Sequence, residues 1–207
     1  MYMSIDTVKQ RYEELCKRPS DINEHLPTLY KYATECETVF ETGVRGCISS
    51  WALTYGLLNN NKPTKSLFMN DIDPCNINDL LNTTKGLNIE IQYKWINNLQ
   101  LELSSNVDLT FIDTWHVYGH LKRELAKFSK VTNKYIIMHD TTVDEIYGES
   151  LRCNMNIHEQ SHISGYPVEE ITCGLQKAID EFLYRNPEWA LHERYTNNNG
   201  LTILKRV

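Results

Sequence analysis

Short apolar and β-branched runs alternate along the chain with longer stretches of helical periodicity. Seven runs have the length of a strand, and they lie near residues 39, 66, 89, 107, 135 and 189 and at the C-terminus (VFETG, SLFMNDI, IEIQYKW, VDLTFIDT, YIIMHDT, WALHERY and LTILKRV). Strands that alternate with helices favour right-handed β-α-β units and a parallel sheet with helices on both faces. The pattern therefore predicts an α/β fold.

The last two runs differ from the others because only about five residues, mainly Asn and Gly, separate them. That connection is too short for a crossover helix, so the two strands must form a hairpin. The final strand of an otherwise parallel sheet is therefore expected to run antiparallel.

Two regions outside the alternating pattern are predicted to cover a cleft. The N-terminal segment 1–36 contains helical patterns near 5–17 and 27–35, and residues 142–173 show mixed polarity with weak periodicity before the clear helix GLQKAIDEFLYRN. A structureless connection of this length in a compact domain is usually functional. We expect 142–173 to form a substrate lid.

Composition limits the classes of function. A chain of 207 residues with 41% hydrophobic and 23% charged residues suits one globular domain over 1–207. The net charge of -6 and the lack of a Lys/Arg-rich block argue against a nucleic-acid partner. No apolar run has the length of a signal core or membrane span, and six cysteines without a C-x-x-C pair suggest reduced thiols, so a cytoplasmic protein is expected. The oligomeric state stays open, a homo-oligomer included.

A glycine-containing turn follows the first strand. In 41-ETGVRGCISSW-51, Gly43 and Gly46 precede a helix that starts near Ser49. Glycines allow a ligand to approach the backbone, and the N–H groups at a helix N-terminus suit a carboxylate. The spacing differs from the dinucleotide and P-loop patterns. An empty strand-to-helix turn is also common, so this feature is weak alone.

Two acids follow the second strand, Asp71 and Asp73. A carboxylate at this place accepts hydrogen bonds from the ribose hydroxyls of an adenosine. Asp71 is the better placed, because Asp73 precedes Pro74 and suits the cap of the next helix equally well.

Five ordered motifs carry a family resemblance: E-x-G-x-x-x-G-x-S, D-x-D, F-I-D-T-W-H-x-Y, I-M-H-D-T and the terminal N-N-N-G-L-T-I-L. From about Asp21 to the C-terminus, the chain resembles the S-adenosylmethionine (SAM)-dependent O-methyltransferases grouped with macrocin O-methyltransferase and cephalosporin hydroxylase-like proteins. The resemblance implies a Rossmann-like seven-stranded sheet with an antiparallel C-terminal strand. It also implies SAM as cofactor and methyl transfer to a hydroxyl of a small-molecule or glycan acceptor, such as a sugar or glycoconjugate.

The same resemblance implies a set of cofactor-binding residues around the first four strands. They are Glu41, Thr42, Gly43, Arg45, Gly46, Ser49, Asp71, Asp73, Trp95 and Asp113. Trp95 would pack on the adenine ring, although a plain core tryptophan is an equal alternative.

A divalent ion is implied at Asp113, His139 and Asp140. Carboxylates suit Mg²⁺, which would lower the pKa of the acceptor hydroxyl, whereas the imidazole of His139 shifts preference toward Mn²⁺, Fe²⁺ or Zn²⁺. The competing interpretation is that His139 and Asp140 only cap the following turn.

The resemblance makes His116 the general base, with Asp113 as the second catalytic residue. Methyl transfer to oxygen requires removal of the hydroxyl proton, which His performs near neutral pH. The alternative is that His116 merely starts the helix 118-YGHLKRELAKF-128. His120 is interpreted as a solvated or packing residue, and the roles of the lid histidines His158 and His162 stay open.

Three other functions are weighed. The first is a catechol-like O-methyltransferase, and the second is a SAM-fold binding module without transfer activity. The third is an oxidase, which is disfavoured because no convincing 2-His-1-carboxylate iron site is visible in the sequence.

Overall fold

The computed structural model describes residues 4–207, and its elements follow the predicted order. The strands are β1 Thr38–Thr42, β2 Ser66–Asp71, β3 Glu90–Trp95, β4 Val107–Ile112, β5 Thr132–His139, β6 Trp189–Tyr195 and β7 Leu201–Arg206. The helices are α1 Ile5–Lys17, α2 Leu26–Ala33, α3 Ile48–Leu58, α4 Asn78–Thr84, α5 Tyr118–Phe128, α6 Glu149–Arg152, α7 Ile157–Ser164, α8 Val168–Thr172 and α9 Leu175–Arg185, and a 3₁₀ turn at Asn23–His25 precedes α2. All seven predicted strands are present.

The strands form one sheet in the order β3-β2-β1-β4-β5-β7-β6. Strands β1 to β5 pair in parallel, whereas β7 pairs antiparallel with both β5 and β6. The predicted α/β class, the seven-stranded sheet and the antiparallel C-terminal hairpin are confirmed.

The turn between β6 and β7 shows why this hairpin forms where it does. Asn198, Asn199 and Gly200 adopt φ angles of 45°, 69° and 99°, a region that Asn and Gly tolerate better than other residues. A β-carbon on Gly200 would lie 2.3 Å from Oγ1 of Thr142. The turn therefore packs tightly against the chain that leaves β5.

The central strands of the sheet, β1, β4 and β5, are buried on both faces. Along β5, Tyr135 and Ile137 join a core with residues of α1 to α4, whereas Ile136 and Met138 join a second core with α5 and α9. This division follows from the two-residue period of a strand, and burial of both faces is expected for a parallel sheet.

The predicted N-terminal helices are confirmed as α1 and α2, but residues 142–173 differ from the expectation. They are not structureless, because α6, α7 and α8 occupy much of the segment. These helices have 4, 8 and 5 residues, too short for a periodic signal. None of the helices within residues 4–207 is long and apolar enough to span a bilayer.

Candidate active site

Four parallel strands bring the predicted residues to one edge of the sheet. Glu41 and Thr42 end β1, Asp71 ends β2, Asp113 follows β4, and His139 ends β5. The carboxyl ends of parallel strands meet at the same edge, which is where ligands bind in open α/β sheets.

The glycine turn after β1 contains one glycine that the fold requires and one that it does not. Gly43 has a φ of +89°, and a β-carbon there would lie 1.8 Å from the carbonyl oxygen of Asp113. Around the β-carbon position of Gly46, in contrast, no atom lies within 4 Å. Gly43 thus allows β1 and β4 to approach closely, while Gly46 leaves open space above the turn.

Asp71 holds this turn in place. Its Oδ2 accepts hydrogen bonds from the backbone N–H groups of Val44 (2.8 Å) and Arg45 (2.9 Å), and its Oδ1 accepts one from Asp73 (2.9 Å). Burial opposes ionisation of Asp71, but these backbone donors outweigh it and lower the pKa of the carboxyl. The carboxylate therefore lies directly beside the predicted cofactor turn.

Asp73 is exposed and does not cap a helix. The next helix, α4, begins at Asn78 with Ile77 in the N-cap position. The capping alternative for Asp73 is therefore wrong.

Glu41 is a buried acid below the turn, with one oxygen unsatisfied. Ser49 donates a hydrogen bond of 2.5 Å to Oε1, whereas Oε2 has no hydrogen-bond partner. Burial raises the pKa of Glu41 to about 7, although the hydrogen bond from Ser49 acts in the opposite direction. A buried acceptor of this kind favours a hydrogen-bond donor beside it.

Other predicted cofactor residues have distinct environments. The Thr42 hydroxyl is buried; it donates to Asn70 (3.1 Å) and accepts from Asn98 (3.0 Å). The side chain of Arg45 is exposed and pairs with Asp21 of the N-terminal segment at 2.5 Å. Trp95 is 65% exposed, and its indole donates to the carbonyl of Ile72 at 2.7 Å. Trp95 is therefore no core tryptophan, and that alternative is wrong.

The residues predicted for catalysis and metal binding converge on one cluster. Oδ1 of Asp113 lies 3.1 Å from Nε2 of His116 and 3.2 Å from Nδ1 of His139. The other ring nitrogen of His116, Nδ1, lies 3.0 Å from Oδ2 of Asp140. Asp140 adopts a φ of +56°, which directs the chain out of β5 and which Asp tolerates.

Charge holds this cluster together. Burial opposes protonation of His116, but Asp113, Asp140 and Asp144 outweigh it and raise the pKa of the imidazole well above its ordinary value. The pKa of His139 is also raised, because Asp113 and Asp140 outweigh burial. The pKa of Asp113 falls for the converse reason, since hydrogen bonds from both imidazoles outweigh its burial. Opposite charges within the cluster therefore favour the protonated form of both imidazoles and the ionised form of Asp113.

His116 does not belong to the following helix. Helix α5 begins at Tyr118 with Val117 as N-cap, so His116 lies before the cap and its ring contacts carboxylates instead. His120 lies on α5 and is 9% exposed, 3.4 Å from the carboxylate of Glu124. It is therefore a packing residue, and the solvated interpretation is wrong.

Among residues 4–207, two groups of three side chains have ligand atoms within 4.8 Å of one another, Asp113 with His139 and Asp140, and His116 with Asp140 and Asp144. In the first, which is the predicted metal site, Oδ1 of Asp140 is buried without a hydrogen-bond partner. This donor set fits a divalent ion that accepts mixed oxygen and nitrogen ligands. Each group contains a single histidine, so neither matches a 2-His-1-carboxylate site.

Sequence reasoning missed several polar residues beside the cluster. Within residues 142–173, Glu149 donates its N–H to the carbonyl of His116 (2.9 Å), and Asp144 binds Arg152. On α5, the buried Glu124 accepts hydrogen bonds from Asn98 (2.5 Å) and Thr114 (2.6 Å). Of these residues, only Glu124 could have been identified from the sequence, because the helical period places this acid on the apolar face of α5.

The two histidines of the segment 142–173 lie outside the cluster. His158 and His162 are both exposed on α7. The sequence alone did not decide their roles, and no contact with the cluster assigns them one.

Comparisons with known proteins identify the fold. No protein-family model and no curated protein matches the chain. Among solved structures, the N-methyltransferase NodS from Bradyrhizobium japonicum aligns with a TM-score of 0.58 at 13% identity, over 90% of this chain and 96% of its own. The O-methyltransferase TomG from Streptomyces achromogenes, solved with SAM, aligns with a TM-score of 0.58 at 12% identity, over 100% and 91%.

An O-methyltransferase from Bacillus cereus, solved with S-adenosylhomocysteine (SAH), gives a TM-score of 0.57 at 12% identity, over 98% of this chain and 90% of its own. At such identities the likeness establishes the fold alone. The chain has the Rossmann-like fold of the class I SAM-dependent methyltransferases.

Proposed function

We propose that this protein transfers the methyl group of SAM to a hydroxyl oxygen of a sugar or glycoconjugate. One observation carries the proposal. The glycine turn at 43–46, fixed by Asp71, lies at the same sheet edge as the cluster of Asp113, His116 and Asp140. A cofactor turn and a group able to remove a proton are the two parts that this reaction needs.

The residues below and beside the turn fit the cofactor. The unpartnered Oε2 of Glu41 suits an ammonium group, and the N-terminus of α3 suits a carboxylate. We assign the partly exposed Asp71 to the ribose hydroxyls and the exposed ring of Trp95 to the adenine, since both side chains are accessible to a ligand. Each of these assignments is a proposal about this chain.

In the reaction, SAM supplies an electrophilic methyl group, so the protein must orient the acceptor and remove its proton. His116 is proposed as the general base: Asp113 orients the ring through Nε2, and Nδ1, which lies near Asp140 but has no hydrogen-bond partner, takes the proton of the acceptor hydroxyl. A divalent ion such as Mg²⁺ or Mn²⁺, held by Asp113, His139 and Asp140, would lower the pKa of the acceptor hydroxyl.

The choice of a sugar hydroxyl rests on the sequence motifs after β4 and β5. The fold itself hosts transfer to nitrogen as well as oxygen, since NodS is an N-methyltransferase. The acceptor class therefore has to be measured.

The test is a screen for transfer of the labelled methyl group of SAM to an acceptor, performed once with Mg²⁺ and once with Mn²⁺. Its panel contains monosaccharides, glycosides, catechols and a primary amine, and the Asp113→Asn variant serves as a control. We expect turnover on a sugar hydroxyl that is lost in the variant. Turnover only on catechols or amines would overturn the sugar assignment. SAH binding without turnover on any acceptor would favour a binding module.

A further inference from the structure

We infer that Arg152 of the lid is a positioning residue for His116 and that it acts by restraining Asp144. The inference rests on the proposed function, because it assigns Arg152 a part in the same methyl transfer. It concerns the orientation of the base and not a contact with substrate.

Arg152 and Asp144 form a two-point ion pair. Nε of Arg152 donates to Oδ1 of Asp144 at 2.6 Å, and Nη2 donates to Oδ2 at 2.9 Å. Asp144 is fully buried, and a buried carboxylate requires a charged partner or several donors. The planar guanidinium fixes both oxygens at once, which fixes the rotation of the carboxylate.

This restraint matters because Asp144 and Asp140 face the same nitrogen of His116. Nδ1 of His116 lies 3.0 Å from Oδ2 of Asp140 and 3.5 Å from Oδ2 of Asp144. Glu149 is farther away, at 3.7 Å. While Arg152 holds Asp144, the nearer partner is Asp140, and the imidazole lies between Asp140 and Asp113.

The backbone of Asp144 cannot move away from His116. Its N–H donates to the carbonyl of Asp140 (3.1 Å), and its carbonyl accepts from the N–H of Leu175 (2.8 Å). If Arg152 were removed, only the side chain of Asp144 would be free to turn, and it would turn towards Nδ1 of His116, which lies 3.5 Å from its Oδ2. The imidazole would then be displaced from its place between Asp113 and Asp140.

The first variant is Arg152→Gln, assayed on the best acceptor of the screen. A misplaced reacting group costs up to about 100-fold in rate, so we expect kcat to fall by about 10- to 100-fold. SAH affinity should stay unchanged, because the Arg152 side chain pairs with Asp144 and not with the turn at 43–46.

The decisive variant removes both partners. In Asp144→Ala/Arg152→Gln the competing carboxylate is absent and no pair links positions 144 and 152, so kcat should return to near the wild-type value. If Arg152 only docked the lid, the double variant would be as slow as Arg152→Gln, and the inference would be overturned. Because the double variant is compared with the wild type, the test can still be made if Arg152→Gln alone fails to fold.

A matched control separates orientation of the base from docking of the lid. Arg123→Gln also removes an ion pair to the lid, that of Arg123 with Glu170 (2.6 Å), but it lies outside the cluster. It should retain wild-type kcat. In a His116→Ala background, Arg152→Gln should cause no further loss, whereas an equal loss in both backgrounds would contradict the inference. Wild-type protein that binds SAH without any turnover would instead refute the proposed function.

Discussion

A β-carbon on Gly43 would lie 1.8 Å from the carbonyl oxygen of Asp113. The N–H of Asp113 also donates to the carbonyl of Thr42 at 2.9 Å. The turn proposed for the cofactor and the cluster proposed for chemistry are therefore in direct backbone contact. This contact fixes the distance between the two halves of the site.

Gly43→Ala should consequently be strongly destabilising. The positive φ of 89° and the overlap with Asp113 together should lower the free energy of unfolding by about 3 kcal/mol or more. Urea denaturation measures this loss. The matched control is Gly46→Ala, whose β-carbon meets open space; it should keep its stability and bind SAH less tightly if that space belongs to the cofactor. A Gly43→Ala variant as stable as wild type would contradict the described contact.

Glu41 should give stability a specific pH dependence. Its pKa is raised from 4.5 to about 7 in the folded chain, chiefly by burial, so between these values the folded state binds more protons than the unfolded state. The free energy of unfolding therefore falls as pH rises through this range. Glu41→Gln removes this slope. Between about pH 4.5 and pH 7, the free energy of unfolding of the wild type should therefore fall by about 3 kcal/mol relative to that of the variant, at about 1.4 kcal/mol per pH unit.

The same residue should make cofactor binding pH-dependent. If the carboxylate of Glu41 receives an ammonium group, SAH affinity should rise as pH increases through about 7 and should then level off. In Glu41→Gln the affinity should be lower and should lack this rise. Equal pH profiles for the two proteins would show that Glu41 does not bind the ammonium group.

His116→Ala tests the base. The fold and SAH affinity should be retained, while kcat should drop by about 10²- to 10⁴-fold. The surrounding carboxylates raise the pKa of His116 above its ordinary 6.5, and the base works only after losing its proton. The rising limb of the wild-type kcat profile should therefore lie above pH 6.5 and vanish in the variant. The control is His162→Ala, an exposed lid position, and near-normal kcat in His116→Ala would place the base elsewhere.

Chelation tests the ion site at Asp113, His139 and Asp140. Removal of divalent ions should lower activity, and Mn²⁺ should restore it better than Mg²⁺ because His139 supplies a nitrogen ligand. Replacing this nitrogen by oxygen in His139→Glu should shift the preference towards Mg²⁺. Full activity after exhaustive chelation would leave the three residues with a positioning role only.

The sheet and the convergence of the cluster were accessible from sequence for a physical reason. Each strand is a short run rich in apolar, β-branched or aromatic residues, and parallel strands place their carboxyl ends together, so Asp113 and His139 had to lie at the edge that Asp71 shares. The family motifs then singled out His116 and Asp140 among the polar residues at that edge.

The residues that the segment 142–173 adds beside the cluster could not be predicted from the sequence in the same way. Arg152 lies on a helix of four residues, which has no periodic signal, and its partner Asp144 is buried only through tertiary packing. The same limit applies to Asp73 and Trp95. Whether Asp73 caps a helix depends on where α4 begins, and whether Trp95 is a core residue depends on which side of β3 is covered. Such facts follow from packing and not from local pattern.

Calorimetric titration with SAH tests the central claim, that this fold carries a working cofactor site, without any knowledge of the acceptor. We expect one SAH to bind per chain, and Asp71→Ala to weaken binding by about 1–3 kcal/mol, since it removes charged acceptors beside the ribose. Absence of binding to the wild-type protein at millimolar SAH would contradict the proposed function.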